Sequence, residues 1–161
     1  MKKKLFLLLF AVWIWGGGST LKASAIREEV TITAITGREW KLIAVRINNS
    51  DAGFNRDPLV REWLGRFFTA VFDAGLVRGT GAPNRYSAPY ALGDNHRIKI
   101  MVMLSTKMAP LTDSLFQMEN LTEDEFFTYM QNAFEWRLVN NNLELRSQTD
   151  GGNEVTLVFA P

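Results

Sequence analysis

Apolar and polar positions alternate along much of the chain, and a period of two sends successive side chains to opposite faces of a strand. Residues 30–36 and 39–47 are rich in β-branched side chains and partly alternate, with Gly37 and Arg38 between them as a break, so both are predicted as half-buried strands. Asn48-Asn49-Ser50-Asp51-Ala52-Gly53 is a loop signal, because short polar side chains bond their own backbone there. Asp57-Pro58 then reads as an N-cap followed by proline at the first helical position, with Leu59, Trp63, Phe67 and Val71 at helical spacing. Gly65 interrupts that spacing, and residues 67–72, a turn at Asp73-Ala74-Gly75 and residues 76–78 read as a hairpin. The pattern therefore predicts a short helix over residues 59–64, then the hairpin.

Further on, Tyr86, Ala88, Tyr90 and Leu92 share one face of a strand over residues 85–92, and residues 97–103 form another after a turn at Gly93-Asp94-Asn95. Leu121-Thr122-Glu123-Asp124-Glu125-Phe126 is the sharpest local signal. Thr122 can cap the amide of Glu125 while Glu125 reaches back, and Leu121 can pack on Phe126, giving a capping box with a hydrophobic staple. Phe126, Tyr129, Met130 and Ala133 continue at helical spacing. Residues 135–139, 143–146 and 155–159, separated by turns at Asn140-Asn141-Asn142 and around Asp150-Gly151-Gly152, close the chain as a meander. Many short strands with one good helix predict an α+β fold: a small antiparallel β-barrel or half-barrel with one amphipathic helix packed on it.

The first 25 residues break from this pattern. Lys2, Lys3 and Lys4 precede an apolar run over residues 5–15, glycines follow, and Ala23-Ser24-Ala25 has the small-x-small form of a cleavage site, so residues 1–25 are expected to be a signal peptide. The apolar run is shorter than the roughly 20 residues a membrane span needs, and no stable membrane span is expected after cleavage. Residues 26–161 then form a single exported domain, periplasmic or secreted. The whole chain has formal net charge +1, but the leader removes Lys2, Lys3, Lys4 and Lys22 and no acid, leaving a mature charge of about −3. That disfavours a nucleic-acid partner. Without a single cysteine, no disulfide staples the domain and the core must supply its stability.

A set of motifs, in order, identifies a resemblance. Trp40-x-Leu42, Phe72-x-x-Gly75-x-Val77-x-Gly79, Gly81 with Asn84-Arg85-Tyr86 and Tyr90, Ser105-Thr106-x-Met108-Ala109, Glu125-Phe126 and Leu143-x-Leu145 together resemble the META domain typified by HslJ-like proteins of bacterial envelopes. The resemblance spans residues 35–159 and implies a non-enzymatic envelope protein that acts through protein interaction in stress tolerance or maintenance. Many relatives carry a cysteine between the glycine and the asparagine, where this chain has Ala82-Pro83, and another after Met-Ala, where it has Pro110; any redox role of such a pair does not carry over. META domains also look like the cracked barrels of secretin pilot proteins, which implies an alternative: a carrier of lipid or an apolar partner segment, with Trp63, Phe67, Phe68 and Phe72 lining a groove.

Other chemistry finds little support in the residues. Ser105 has no nucleophile elbow around it, and the sole histidine, His96, lies in a polar turn, so no catalytic set is assigned. One histidine and no cysteine make a poor zinc site, and no cofactor is implied. Met101, Met103 and Met108 suggest a soft-metal cluster, but methionines beside Ile98 and Ile100 read more simply as core filler. Glu119, Glu123, Asp124 and Glu125 read as a charged first helical turn rather than paired catalytic carboxylates. Gly79, Gly81, Asn84, Arg85, Tyr86, Ser105, Thr106 and Met108 are expected to be structural: Asn84 tolerates a left-handed turn, Arg85 can pair with a neighbouring carboxylate, and Tyr86 can bury its ring while its hydroxyl finds a partner. The expected partner is a protein or an apolar ligand, bound by a monomer.

Overall fold

The computed structural model describes residues 33–52, 58–108 and 121–161. Ten strands lie within it: β1 (Glu39–Ile47), β2 (Ser50–Asp51), β3 (Thr69–Asp73), β4 (Leu76–Gly81), β5 (Asn84–Gly93), β6 (Arg97–Ile100), β7 (Leu104–Ser105), β8 (Glu135–Val139), β9 (Asn142–Gln148) and β10 (Glu154–Ala160). Helix α1 (Pro58–Phe67) and helix α2 (Glu123–Gln131) complete the described elements. Eight strands run β1-β3-β4-β5-β6-β8-β9-β10, all antiparallel, and β10 returns to β1 over six residue pairs from Lys41↔Ala160 to Ile47↔Val155. The barrel is thus closed rather than half-open, which leaves no long unpaired edge on its first and last strands. The two-residue strands β2 and β7 add to β1 and β5.

Turn chemistry drives much of this. Ala74 and Gly75, Asn140 and Asn141, and Asn48 and Asn49 all have positive φ, so three two-residue connections take the primed geometry that matches strand twist. A bulge between Leu42 and Ala44 shifts the pairing of β1 with β10. It also switches the inward set from Trp40 and Leu42 to Val45, which explains why the alternation in β1 is only partial. The inward residues, among them Trp40, Phe68, Phe72, Leu143, Leu145, Leu157 and Phe159, are fully buried and fill the barrel. Burial of this apolar surface is the main stabilising contribution, at about 25 cal/mol per Å².

Both expected helical segments form, the short one expected over residues 59–64 being longer than predicted. Helix α1 runs past Gly65 to Phe67, and Phe67, expected in a strand, ends the helix; Gly65 faces β1, where a Cβ would make ordinary contact with the Lys41 Cβ at 3.4 Å. Helix α2 has both halves of the capping box: Glu125 N donates to Thr122 Oγ1 at 3.2 Å, and Thr122 N donates to Glu125 Oε2 at 2.8 Å. It buries Phe126 and Met130. Two strand expectations fail. Residues 33–35 are helical and Thr36 forms a parallel bridge with Phe72, while residues 30–32 lie outside the described residues. The strand expected over residues 97–103 ends at Ile100: the Met101 amide still bonds the Pro89 carbonyl across the ladder at 2.8 Å, but Pro89 has no N–H to return the bond. The leader and its cleavage site also lie outside the described residues.

Candidate functional site

Asn84 opens β5 directly after the Ala82–Pro83 turn, whose peptide bond is cis, and it is 4% exposed. Its backbone N and its Nδ2 both donate to Glu123, at 3.0 Å to Oε1 and 2.8 Å to Oε2. Its Oδ1 accepts from Thr106 Oγ1 at 2.9 Å and from the Met108 backbone N at 2.7 Å. A primary amide has two donors and two acceptor positions, so three of the four are engaged within the chain. Asn84 therefore ties the first turn of α2 and the segment after β7 to the start of β5. It does this from within a strand, not from the left-handed turn expected of it.

Arg85 contributes through its backbone. Its N donates to Thr106 Oγ1 at 3.1 Å and its carbonyl accepts from Thr106 N at 3.0 Å, while its side chain is exposed and has no ion pair among the described residues. Tyr86 is buried, and its hydroxyl donates to the Thr69 carbonyl at 2.7 Å. Its ring meets Phe126 and Phe127 edge-on, with centroids 5.9 Å and 5.5 Å away. Burial pushes the Tyr86 phenol well above its ordinary range, since the phenolate would lack water.

The two motif glycines have steric reasons. A Cβ on Gly79 would lie 2.0 Å from the Thr69 carbonyl oxygen that Tyr86 bonds, and one on Gly81 would lie 2.4 Å from the Phe127 ring. Gly79, Gly81, Asn84, Tyr86 and Thr106 thus form one contiguous joint between β3, β4, β5, β7 and α2. Sequence reasoning missed its two acceptors, Glu123 and Thr69. Nothing local marks them: Glu123 is 39 residues from Asn84 and already explained by the helix start, and Thr69 acts through its main chain.

The remaining expected groups lie apart or serve structural bonds. Ser105 is exposed on β7 opposite Tyr86. His96, with φ of 62°, sits in the β5–β6 turn with its ring edge-on to Trp136 at 5.1 Å. Among the acids, Glu123 binds Asn84 and Glu125 caps the helix; Glu119 lies outside the described residues. Among the described residues no group of three or more His, Asp or Glu could hold a metal. Met108 is 56% exposed and Met101 43%, with Val102 and Leu104 also exposed, so the expected methionine core filler is in part a surface apolar strip.

The expected apolar groove is not formed by the phenylalanines assigned to it. Phe68 and Phe72 are enclosed in the core at 1% and 0% exposure, Phe67 packs half-buried against it, and the Trp63 side chain lies outside the described residues. Among the described residues, an open cleft of about 520 Å³ runs between α1 and β1 and is lined by charged residues including Glu39, Lys41, Glu62 and Arg66.

An ion-pair belt covers the outside of the seam. Arg46 on β1 reaches Glu144 on β9 at 2.9 Å, which requires the pair to cross the outer face of β10 between them. Thr156 and Val158, the outward residues of β10 there, are accordingly only 6% and 2% exposed. Arg146 bonds both Glu135 and Glu154, and Arg137 also bonds Glu135, at 2.6 Å. Partial burial pushes the Glu135 carboxyl up, but the hydrogen bond from Arg137 and the charge of Arg146 outweigh it and hold the group below its ordinary value.

Residues 33–160 match the family model of the META domain. Among solved structures, a DUF4847-family protein from Bacteroides vulgatus superposes with a TM-score of 0.56 at 17% identity, covering 81% of this chain and 96% of its own; the likeness concerns the fold. No curated protein matches the sequence. Among the described residues no helix is long and apolar enough to cross a membrane.

Proposed function

Because the chain belongs to the META domain family, we propose that it is a non-catalytic protein that acts by protein interaction, after export, in envelope stress tolerance or maintenance. The observation that carries this reading is the engagement of the motif. Asn84, Tyr86 and Thr106, three polar side chains of the motif, have their polar groups bonded within the fold. What the protein has left to offer is surface: the exposed strip of Met101, Val102, Leu104 and Met108 is the apolar part of it. The leader pattern of residues 1–25 supports export. A carrier role would need an apolar groove, and Phe68 and Phe72, two of the residues expected to line one, are enclosed in the core.

Two measurements test this. Purified protein assayed against ester, peptide, glycoside and phosphate substrates is expected to show no turnover; turnover that disappears on Ser105→Ala would overturn the non-catalytic reading. Cell fractionation with N-terminal sequencing is expected to find an exported chain beginning at Ile26, and a cytoplasmic chain retaining its leader would refute export.

A further inference from the structure

Trp136 Nε1 and Ser147 Oγ are buried side-chain atoms with no hydrogen-bond partner among the described residues. Such groups are rare in folded proteins, because each gives up its bonds to water on burial. Both side chains face the barrel interior, Trp136 at 3% exposure and Ser147 at 0%. Trp136 on β8 pairs with Leu145 on β9, and Ser147 is the next inward residue along β9, a diagonal neighbour within reach of an indole. The charged neighbours Glu135, Arg137 and Arg146 alternate with them and stand on the outer face.

We propose that Trp136 Nε1 and Ser147 Oγ together hold one buried water inside the barrel. An indole N–H only donates, whereas a hydroxyl both donates and accepts. A water accepts from Nε1, donates to Oγ, and keeps bonding capacity for a nearby carbonyl, as internal waters commonly do. The indole is steadied by its edge contact with His96 and by its backbone N, which donates to the His96 carbonyl at 2.9 Å. This matters for the barrel because β6 and β8 share only the pair Arg97↔Glu135, so the hydrated indole sits at the thinnest join of the ring.

The test is nuclear magnetic resonance on the full ¹⁵N-labelled chain. The Trp136 indole N–H is identified among the five tryptophans by its loss in Trp136→Phe. It is expected to show a cross-peak at the water frequency with the sign of a long-lived bound water. Ser147→Val, whose methyl groups take the place of the hydroxyl, is expected to abolish that peak; Ser147→Ala, the milder change if valine prevents folding, is expected to reduce it at least twofold. No such peak in the unaltered protein, or one of equal intensity in the folded variants, overturns the proposal.

Discussion

The carboxylate of Glu123 accepts both N–H groups that Asn84 presents to it, one from the main chain and one from the side-chain amide. This pair couples a helix start to a strand start. Asn84 itself is almost fully buried, so its own amide depends on these partners rather than on water.

Asn84→Ala is expected to destabilise the fold by about 2–3 kcal/mol, since it strips a charge-assisted bond from Glu123 and leaves the Thr106 hydroxyl and the Met108 amide without their acceptor. Asn84→Asp should cost at least as much by setting two carboxylates face to face. Urea unfolding midpoints check both. Unchanged stability in Asn84→Ala would show that the joint contributes little.

The two motif glycines should differ in tolerance. Gly79→Ala drives a methyl group into the Thr69 carbonyl, a main-chain atom fixed within the sheet, and is expected to cost about 3 kcal/mol or more and to lower the yield of folded protein. Gly81→Ala meets side-chain atoms, chiefly the half-buried Phe127 ring, rather than the main chain, so cooperative unfolding with a smaller drop in midpoint is expected. Equal effects at the two sites would contradict this ordering.

Removing the Tyr86 hydroxyl leaves the Thr69 carbonyl unpaired, and Tyr86→Phe is expected to cost about 1 kcal/mol at neutral pH. The phenol also sets an alkaline limit. Its folded pKa is raised, so its contribution is intact below the unfolded value near 10 and is lost as pH climbs beyond that. Unfolding curves at pH 9 to 11 should fall more steeply for the native chain than for Tyr86→Phe, and parallel curves would refute the assignment.

Glu135 acts at the other end of the pH scale. Its folded pKa is lowered, so its stabilisation is present above the unfolded value of about 4.5 and fades as pH drops below it. Glu135→Gln should lose about 1 kcal/mol at pH 7 and show a flatter stability profile between pH 5 and 3. A profile as steep as that of the native chain would place the acid sensitivity elsewhere.

Much of the framework was legible because it depends on local rules. The strand Glu39–Ile47 follows from its β-branched run, and the start of α2 from Thr122 and Glu125. The helix reaches Phe67, beyond the expected residue 64, because the glycine at position 65 reads as a breaker in sequence but is carried within the helix where α1 packs on β1. Closure of the ring was not decidable from periodicity, since pairing between Lys41 and Ala160 leaves no local mark. In the joint, the residues that define the motif were visible, but their roles came from partners far along the chain. Asn84 was read for its backbone tolerance and acts instead through its amide.

The union of β1 with β10 also bears on the order of events during synthesis. Strand β1 emerges early and can pair with β2 and β3, yet its other edge obtains a partner only once residues 154–160 have followed, so the nascent chain must hold that rim of the ribbon unpaired. A stalled or trimmed product lacking that last segment would expose two raw edges at once, on β1 and on β9, and would be prone to self-association.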